Sequence, residues 1–427
     1  MLTRRLLAPR PALLALPLTL ALIASGARAD DTDALALEVA PETVAKDGGK
    51  GLRLVAEAAA GQIQQRYGLG NQSARRLSLD LNWTTALSPG WRLTASDRLD
   101  NVHPVDAGSH QTVNSLRELN IGWQDGDGTL LVDFGRINLR NGPAYGFNPT
   151  DYFRDGALRS ITSVDPMALR ENRLGTVMLR AQRLWNGGGL SLALAPKLAN
   201  GPDNGSFNPD WGATNHQHRA LLTWSEKLGE RVSGQALLLA AAGQGPQLGA
   251  NATALFSDAV VGHAEWSLGR DDGSAARAAG FTPSSSRRSK LATGATWTLP
   301  TGLALTLEYQ YNGAALRHAQ LATGRADDVD RIGSYLLANQ AHQDSAARQA
   351  WLLYASQRNA GLKNLDLAGF VRRNSDDHSL QAWLEARYHF ERFDLSLQWQ
   401  ATHGSTLSEY GVLPYRQSVQ LLGSWYF

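Results

Sequence analysis

The segment between residues 136 and 173 gathers side chains that could bind a charged or sugar-like solute. Its arginines outnumber its acids: Arg136, Arg140, Arg154, Arg159, Arg170 and Arg173 against Asp151, Asp155, Asp165 and Glu171. Arginine pairs carboxylates and phosphates through two parallel hydrogen bonds, and aromatic rings can stack on sugars. These residue types predict a recognition site whose candidates are Arg136, Arg140, Tyr145, Phe147, Asp151, Tyr152 and Arg154.

Residues for covalent or metal-assisted catalysis do not form a recognisable motif. The chain of 427 residues has no cysteine, which excludes thiolate metal sites and thiol nucleophiles. Gly-x-Ser-x-Gly, P-loop and zinc-helix patterns are absent. His216 and His218 lie in a polar segment without an obvious third ligand, so solvation is favoured over metal binding. We therefore predict no enzymatic activity, no cofactor and no metal site, and nothing indicates nucleic-acid binding.

The elements that must position the candidate site are strands, because apolar and polar residues alternate along most of the chain. Residues 77–83 (LSLDLNW) are the clearest case, and 91–96, 119–124, 303–311 and 393–399 repeat the pattern. Period-2 alternation predicts strands with one apolar and one polar face. About 18 such segments, or 16 as the alternative, lie between Gly51 and Phe427. Soluble sandwiches also alternate, so this pattern alone does not place the chain in a membrane.

The connections and the aromatic residues favour a membrane-spanning barrel. Tight turns at 88–90, 125–128, 186–189, 227–230, 300–302 and 391–392 separate long segments at 101–112, 136–172, 196–217, 270–288, 313–349 and 403–415. Short turns on one side and long loops on the other are typical of outer-membrane barrels. Aromatic residues concentrate where a membrane meets water. We predict a periplasmic girdle of Trp91, Trp123, Trp185, Trp224, Trp297, Tyr388, Phe390, Phe393 and Trp425, and an outer one of Trp266, Tyr311 and Trp351.

The predicted fold is therefore all-β, a transmembrane antiparallel up-and-down barrel with short periplasmic turns and long extracellular loops. If apolar residues face lipid, the opposite parity lines the lumen. The basic lumen residues would be Arg53, Arg76, Arg92, Arg98, Arg180, Lys290, Arg358, Arg372 and Arg387. The acidic ones would be Glu57, Asp80, Asp133, Glu265, Glu308, Asp366, Glu385 and Asp394. Such a balanced wall gives at most a modest ion preference, and salt bridges between neighbours are the simpler interpretation.

The N-terminus resembles a secretory signal. Three arginines precede an apolar run from Ala12 to Ala24, and Ala27-Arg28-Ala29 has the form of a cleavage site. A spanning helix needs roughly 20 apolar residues, more than this run offers. We predict residues 1–29 as signal peptide with cleavage after Ala29, residues 30–50 as a short periplasmic segment and 51–427 as the barrel. Removing four arginines with the signal changes the formal net charge from +2 to −2.

The last strand, residues 419–427, alternates and ends on an aromatic residue. With Trp425 and Phe427 it resembles the C-terminal signal of Gram-negative outer-membrane barrels, which implies the barrel-assembly machinery and the outer-membrane lipid bilayer as partners. The strand number and long loops resemble porins and alginate-export-type single-chain channels. In porins the third outer loop, here 136–172, folds inward, which implies a constriction built from the candidate residues above.

The resemblance implies a channel for hydrophilic solutes, with anions or saccharides as the candidate solutes. Three alternatives stay open: an export channel for a polymer such as a polysaccharide, a surface-binding or structural barrel, and a lipid-modifying enzyme of the outer membrane. Within loop 313–349, Val329, Ile332, Tyr335 and Leu336 recur at helical spacing over 327–340, which predicts either a lid over the pore mouth or a surface helix.

Overall fold

The computed structural model describes residues 51–104, 110–270, 273–281, 286–317, 320–321, 324 and 328–427. The predicted signal peptide and the segment 30–50 lie outside these residues. Eighteen strands form one sheet: β1 Leu52–Gln65, β2 Asn71–Ser88, β3 Trp91–His103, β4 Thr112–Gln124, β5 Leu130–Ile137, β6 Thr176–Trp185, β7 Gly188–Ala195, β8 Arg219–Lys227, β9 Val232–Ala241, β10 Gln247–Ser257, β11 Val260–Gly269, β12 Arg288–Thr298, β13 Leu303–Asn312, β14 Gln349–Gln357, β15 Leu365–Asn374, β16 Leu380–His389, β17 Phe393–His403 and β18 Tyr415–Tyr426.

The sheet closes on itself, because β1 pairs with β18 as well as with β2. Every strand is antiparallel to its neighbours in the chain, and Val55 of β1 pairs with Tyr426 of β18. Closure satisfies the backbone groups that an open edge would leave unpaired, at a cost of several kcal/mol each in hydrocarbon. The prediction of an 18-stranded up-and-down antiparallel barrel is confirmed.

The two faces of the wall differ in polarity as the alternation predicts. On β2, Leu77 and Leu79 expose 62% and 50% of their surface, whereas Ser78 and Asp80 between them expose 4% and 7%. The same contrast recurs around the ring, for example between exposed Leu307 and fully buried Glu308. Large apolar side chains therefore point outwards as an apolar band, and polar side chains point into the barrel.

Connections at the end that carries both barrel termini are short, in agreement with the predicted turns. At the other end of the barrel, six of the nine connections are the predicted long segments. Residues 138–175, which join β5 to β6, are the third of these nine connections in chain order. Three outer connections, 66–70, 242–246 and 375–379, are only five residues long, which the strict alternation of tight and long did not anticipate. Gly68, Gly243 and His378 adopt positive φ there and reverse the chain quickly.

Aromatic side chains gather on the outside next to the tight turns. Trp91 pairs with Trp123 across β3 and β4. Rings at the C-terminal end follow one another, with centroids 5.7 Å apart between Phe390 and Phe393 and 4.7 Å apart between Phe393 and Trp425. Among the described residues, no helix is both long and apolar enough to span a membrane.

Four helices of the described residues lie in the long outer segments. They are α1 Pro166–Glu171, α2 Trp211–Thr214, α3 Ser274–Ala278 and α4 Val329–Ala341. The last agrees with the helix predicted over 327–340, except that Asp327 lies outside the described residues.

Candidate functional site

The connection 138–175, called the inner loop from here on, binds to two carboxylates of the barrel wall. The backbone N–H of Ala144 donates to Glu265 on β11 at 2.6 Å. Those of Tyr145 and Gly146 donate to Glu308 on β13 at 2.7 and 3.0 Å. Both acids belong to the inward-facing parity and are fully buried. The inner loop therefore lies inside the barrel, against strands β10 to β14.

Side chains extend the attachment around Glu265. The Asn148 amide donates to this carboxylate at 2.9 Å, and the Thr150 hydroxyl lies 3.1 Å from it and 2.7 Å from Asn251 of β10. An irregular loop has no ladder partners for its N–H groups, and unpaired N–H groups are costly when buried. The wall acids accept them instead.

Two glycines allow this close approach. Gly142 has φ +87°, and a Cβ there would lie 2.2 Å from the Glu265 carboxylate. A Cβ on Gly146 would lie 2.4 Å from the amide nitrogen of Gln310. Glycine permits the left-handed conformation at the first position and the short separation at both.

A buried ion pair and a hydrogen bond from the same arginine tie the C-terminal end of the inner loop to its interior and to its beginning. Arg173 donates to both carboxylate oxygens of Asp151, at 2.7 and 3.0 Å, and to the carbonyl of Leu139 at 2.9 Å. Burial acts to raise the pKa of Asp151, but the charge and hydrogen bonds of Arg173 outweigh it and hold that pKa below its usual range. Asp151 thus stays ionised and ties the loop together.

Arg136, Phe147 and Asp151, predicted as constriction residues, are buried and make contacts that hold the loop. Arg136, at the end of β5, donates to the carbonyls of Gly175, Asp210 and Pro209, the first two at 2.9 and 3.2 Å. The Phe147 side chain packs against Ala144 and Ala292. A loop folded into a barrel needs its own interior, and these side chains form it, so a direct role for them in a constriction stays a prediction.

The other four candidates are half-buried: Arg140, Tyr145, Tyr152 and Arg154. The Tyr145 ring lies 5.4 Å from that of Tyr354 on β14. Arg154 stacks over Phe147 at 5.1 Å and donates to Asp344 at 3.2 Å. These four residues therefore keep part of their surface exposed.

The predicted lumen residues of the first strands form a network of ion pairs. The Arg98 guanidinium contacts three carboxylates at 2.5 to 3.0 Å, those of Glu57, Asp80 and Asp100. Arg76 pairs with Glu57 at 3.4 Å and donates to the carbonyl of Thr162 in the inner loop at 2.8 Å. Neighbouring charges thus compensate one another, as the simpler interpretation of the wall expects.

Sequence reasoning missed Arg117, which is buried and pairs with Asp80 at 2.6 Å. Arg117 has an odd number and Asn120 an even one, so strict alternation along β4 would place them on opposite faces, yet both side chains point inwards. The register of β3 and β4 shifts between Ser96 and Asp97, and such a bulge moves every later residue to the opposite face. Spacing by three between Leu116 and Leu119 is the signal that could have revealed it.

The remaining wall predictions differ in their surroundings. Arg92 pairs with Asp133 at 3.3 Å and Arg387 with Glu385 at 2.9 Å. Inward-facing strand positions also hold Arg53, Arg180 and Arg372. Arg358 is exposed in the turn after β14 and is not part of the wall, because β14 ends one residue earlier.

Above the inner loop, three outer segments pack into a small apolar cluster that we call the cap. It contains Ala275, Ala276, Leu316, Leu321, Ile332, Tyr335, Leu336 and Ala346, with Phe281, Leu407 and Val412 packed against it. Helix α4 supplies the residues predicted from helical spacing, except that Val329 is half-exposed. The helix is therefore neither isolated nor simply superficial.

The cap is tied to the inner loop by a charged contact. The Nδ1 atom of His342, just after α4, is within hydrogen-bond distance of Asp155. The hydrogen bond to Asp155 raises the pKa of His342 above its ordinary value, although burial opposes the shift. The two segments thus meet through a bond that is stronger when the imidazole is charged.

The histidines considered for metal binding make backbone contacts. His216 Nδ1 lies 3.2 Å from the carbonyl of Ala213, and His218 Nδ1 accepts from the N–H of Lys197 at 3.1 Å. No group of three or more His, Asp or Glu in the described part of the chain could hold a metal ion.

Solved structures to which this chain is similar include variants of a porin from Rhodopseudomonas blastica. A triple mutant of that porin has 12% sequence identity with this chain and a TM-score of 0.43, and covers 88% of this chain with 100% of its own. Another mutant has 11% identity, a TM-score of 0.44 and the same coverage. No protein-family model matches the chain, and no curated protein matches its sequence.

Proposed function

We propose that this protein is an outer-membrane channel that passes hydrophilic solutes and is narrowed by the inner loop. The observation that carries the proposal is the attachment of Ala144, Tyr145 and Gly146 to Glu265 and Glu308 on the inner wall. A barrel of 18 strands is too wide for wall side chains to fill, so it holds water unless something else occupies it. A loop that is attached to the inner wall narrows this water-filled space.

The solute class that best fits the half-buried loop residues is an anion or a saccharide. Arg140 and Arg154 offer guanidinium groups, and Tyr145 and Tyr152 offer aromatic faces. We further propose the lipid bilayer of a Gram-negative outer membrane as the surroundings of the barrel. In this proposal, the barrel-assembly machinery recognises Trp425 and Phe427 during insertion.

Planar-bilayer recordings test the function and its selectivity together. We expect stable ion conductance from the purified protein and a reversal potential that indicates anion preference under a salt gradient. Arg140→Ala and Arg154→Ala should each move the reversal potential towards cation preference, because each removes a positive charge beside the solute path.

Absence of conductance from folded protein would contradict the channel. A cation preference that neither substitution alters would contradict the role given to the arginines but leave the channel intact. Arg358→Ala, in an exposed turn outside the wall, is the matched control and should leave the reversal potential nearly unchanged.

A further inference from the structure

A cavity lies between the inner loop, the wall and the cap. Its volume is about 710 Å³, counted out to open solvent. Strands β8 to β12 line one side with Arg219, Ser267 and Lys290, and the inner loop lines another with Pro149, Asp151, Tyr152, Arg154 and Asp155. His342 and Asp344 close it from the cap side.

Positive charge predominates among the lining residues. Four side chains that are cationic at neutral pH face three acids: Arg154, Arg219, Arg277 and Lys290 against Asp151, Asp155 and Asp344. The acids already have partners. Asp151 is bound by Arg173, Asp155 by His342, and Asp344 by both Arg154 and Lys290.

Arg219 carries a buried charge that Asp155 stabilises electrostatically but with which it forms no salt bridge. It exposes 5% of its surface, and its guanidinium donates to the carbonyls of Tyr152, at 3.1 Å, and Thr214. It also stacks over Phe153 at 4.5 Å. Among the described residues none forms a salt bridge with it, and its buried Nε has no acceptor. Buried charges are normally paired, so this arrangement is suited to an external anion.

Arg277, which belongs to the cap segment, is a second cation that lines the cavity. It lies in the last turn of α3 in the cap and is exposed. No carboxylate of the described residues forms a salt bridge with it. Neutral side chains that line the same space, Gln217, Gln244 and Gln247, provide amide groups that can donate to oxygen.

We propose that this cavity binds a small oxyanion, a phosphate or a dicarboxylate, between Arg219 of the wall and Arg277 of the cap. The site deepens the proposed channel function, on which it rests, by naming where beside the inner loop an anion binds. Guanidinium groups bind both phosphate and carboxylate oxygens in pairs, so the two anions share the chemistry that the cavity offers.

Calorimetric titration of the detergent-solubilised full chain at pH 7 and constant ionic strength tests the site. Inorganic phosphate and succinate are the two probes, each titrated separately. We expect saturable binding of at least one probe. Arg277→Gln and Arg219→Gln should each weaken that binding about tenfold or more, because each removes a charged hydrogen-bond donor. Binding of phosphate only, succinate only or both supports the site and identifies its ligand.

Arg373→Gln is the matched control, since Arg373 is exposed on the outward face of β15, and it should change the dissociation constant less than twofold. Arg219→Gln could disturb folding because its guanidinium supports two carbonyls, whereas exposed Arg277 has no such role. Heat-dependent gel migration verifies the folded barrel for each variant.

Two results would overturn the site: no saturable binding of either probe by folded protein, or binding that Arg277→Gln leaves intact. The proposed channel function is tested separately by conductance. Anion binding without conductance would contradict only the proposed channel function. Conductance without anion binding would contradict only the proposed binding site.

Discussion

Glu265 and Glu308 act as acceptors for a loop that has no strand partner. The two oxygens of a carboxyl group can accept hydrogen bonds from several donors, which matches the successive N–H groups of Ala144, Tyr145 and Gly146. A buried donor left without its acceptor costs about 1–3 kcal/mol. The position of the inner loop therefore depends on these two acids more than on contacts between apolar side chains.

At Gly142, addition of one methyl group should loosen the inner loop. Gly142→Ala would force a Cβ to within 2.2 Å of the Glu265 carboxylate at a residue whose φ is +87°. We expect the loop attachment to lose about 1–3 kcal/mol, from strain and from the displaced carboxylate. The measurement is the rate of proteolytic cleavage between residues 138 and 175 in folded protein, which should rise.

The control is Gly126→Ala in a tight turn, where a Cβ meets nothing within 4 Å and no positive φ is required. Equal cleavage rates for the two variants would show that the acid does not hold the loop.

At the scale of the elements, the buried acid Glu409 attaches the cap to the end of strand β15. Glu409, in the last outer segment, accepts from the Asn374 amide at 2.9 Å and from the N–H of Ala346 at 3.3 Å. Its own N–H donates to Asp377 at 2.8 Å. Burial raises the pKa of Glu409 from 4.5 to about 7, with Arg372 opposing the shift and Asp377 adding to it. Glu409 thus links the last outer segment to Ala346 and to the connection between β15 and β16, and its pKa is close to neutral pH.

Cap stability should therefore fall as pH rises from about 4.5 to about 7. In that range folded Glu409 binds a proton that the unfolded segment has lost, so the free energy of local opening decreases with pH. Hydrogen exchange of residues 404–414, corrected for the intrinsic exchange rate at each pH, measures this opening. Glu409→Gln mimics the protonated acid and should flatten the dependence.

Glu230→Gln, in an exposed turn, should keep the wild-type slope. A slope of the same size in Glu409→Gln would assign the pH dependence to another group.

At the scale of the whole molecule, the last strand closes the ring. The N–H of Phe427 donates to the carbonyl of Leu54 at 3.0 Å, which joins the C-terminus to β1. The Phe427 side chain itself exposes 77% of its surface and adds little packing. We propose that this ring serves recognition during assembly rather than stabilisation of the finished barrel.

Phe427→Ala should therefore separate assembly from stability. We expect a several-fold lower yield of folded protein in the outer membrane of an expressing Gram-negative cell. The free energy of unfolding of protein refolded in detergent should change by about 0.5 kcal/mol or less, because an exposed ring is removed. Phe207→Ala, which removes a similarly exposed ring from a loop, should leave both quantities unchanged. An unaltered membrane yield of Phe427→Ala would contradict the assembly role.

The sequence by itself determined the strands, their count and their two faces, because alternation is a local pattern that a strand converts directly into sidedness. It also located the third outer loop and helix α4. It did not reveal the bulge that turns Arg117 inwards, since a shift of register depends on the partner strand.

The candidate site was decided only by tertiary structure. Ala144 and its acceptor Glu265 are 121 residues apart, and Tyr145 and Glu308 are 163 apart. Only closure of the barrel brings them together. The same folding buries Arg136 and Asp151, whose charges alone predict contact with solute. A charged side chain binds whatever partner folding places within hydrogen-bond distance, and spacing along the chain does not contain that information.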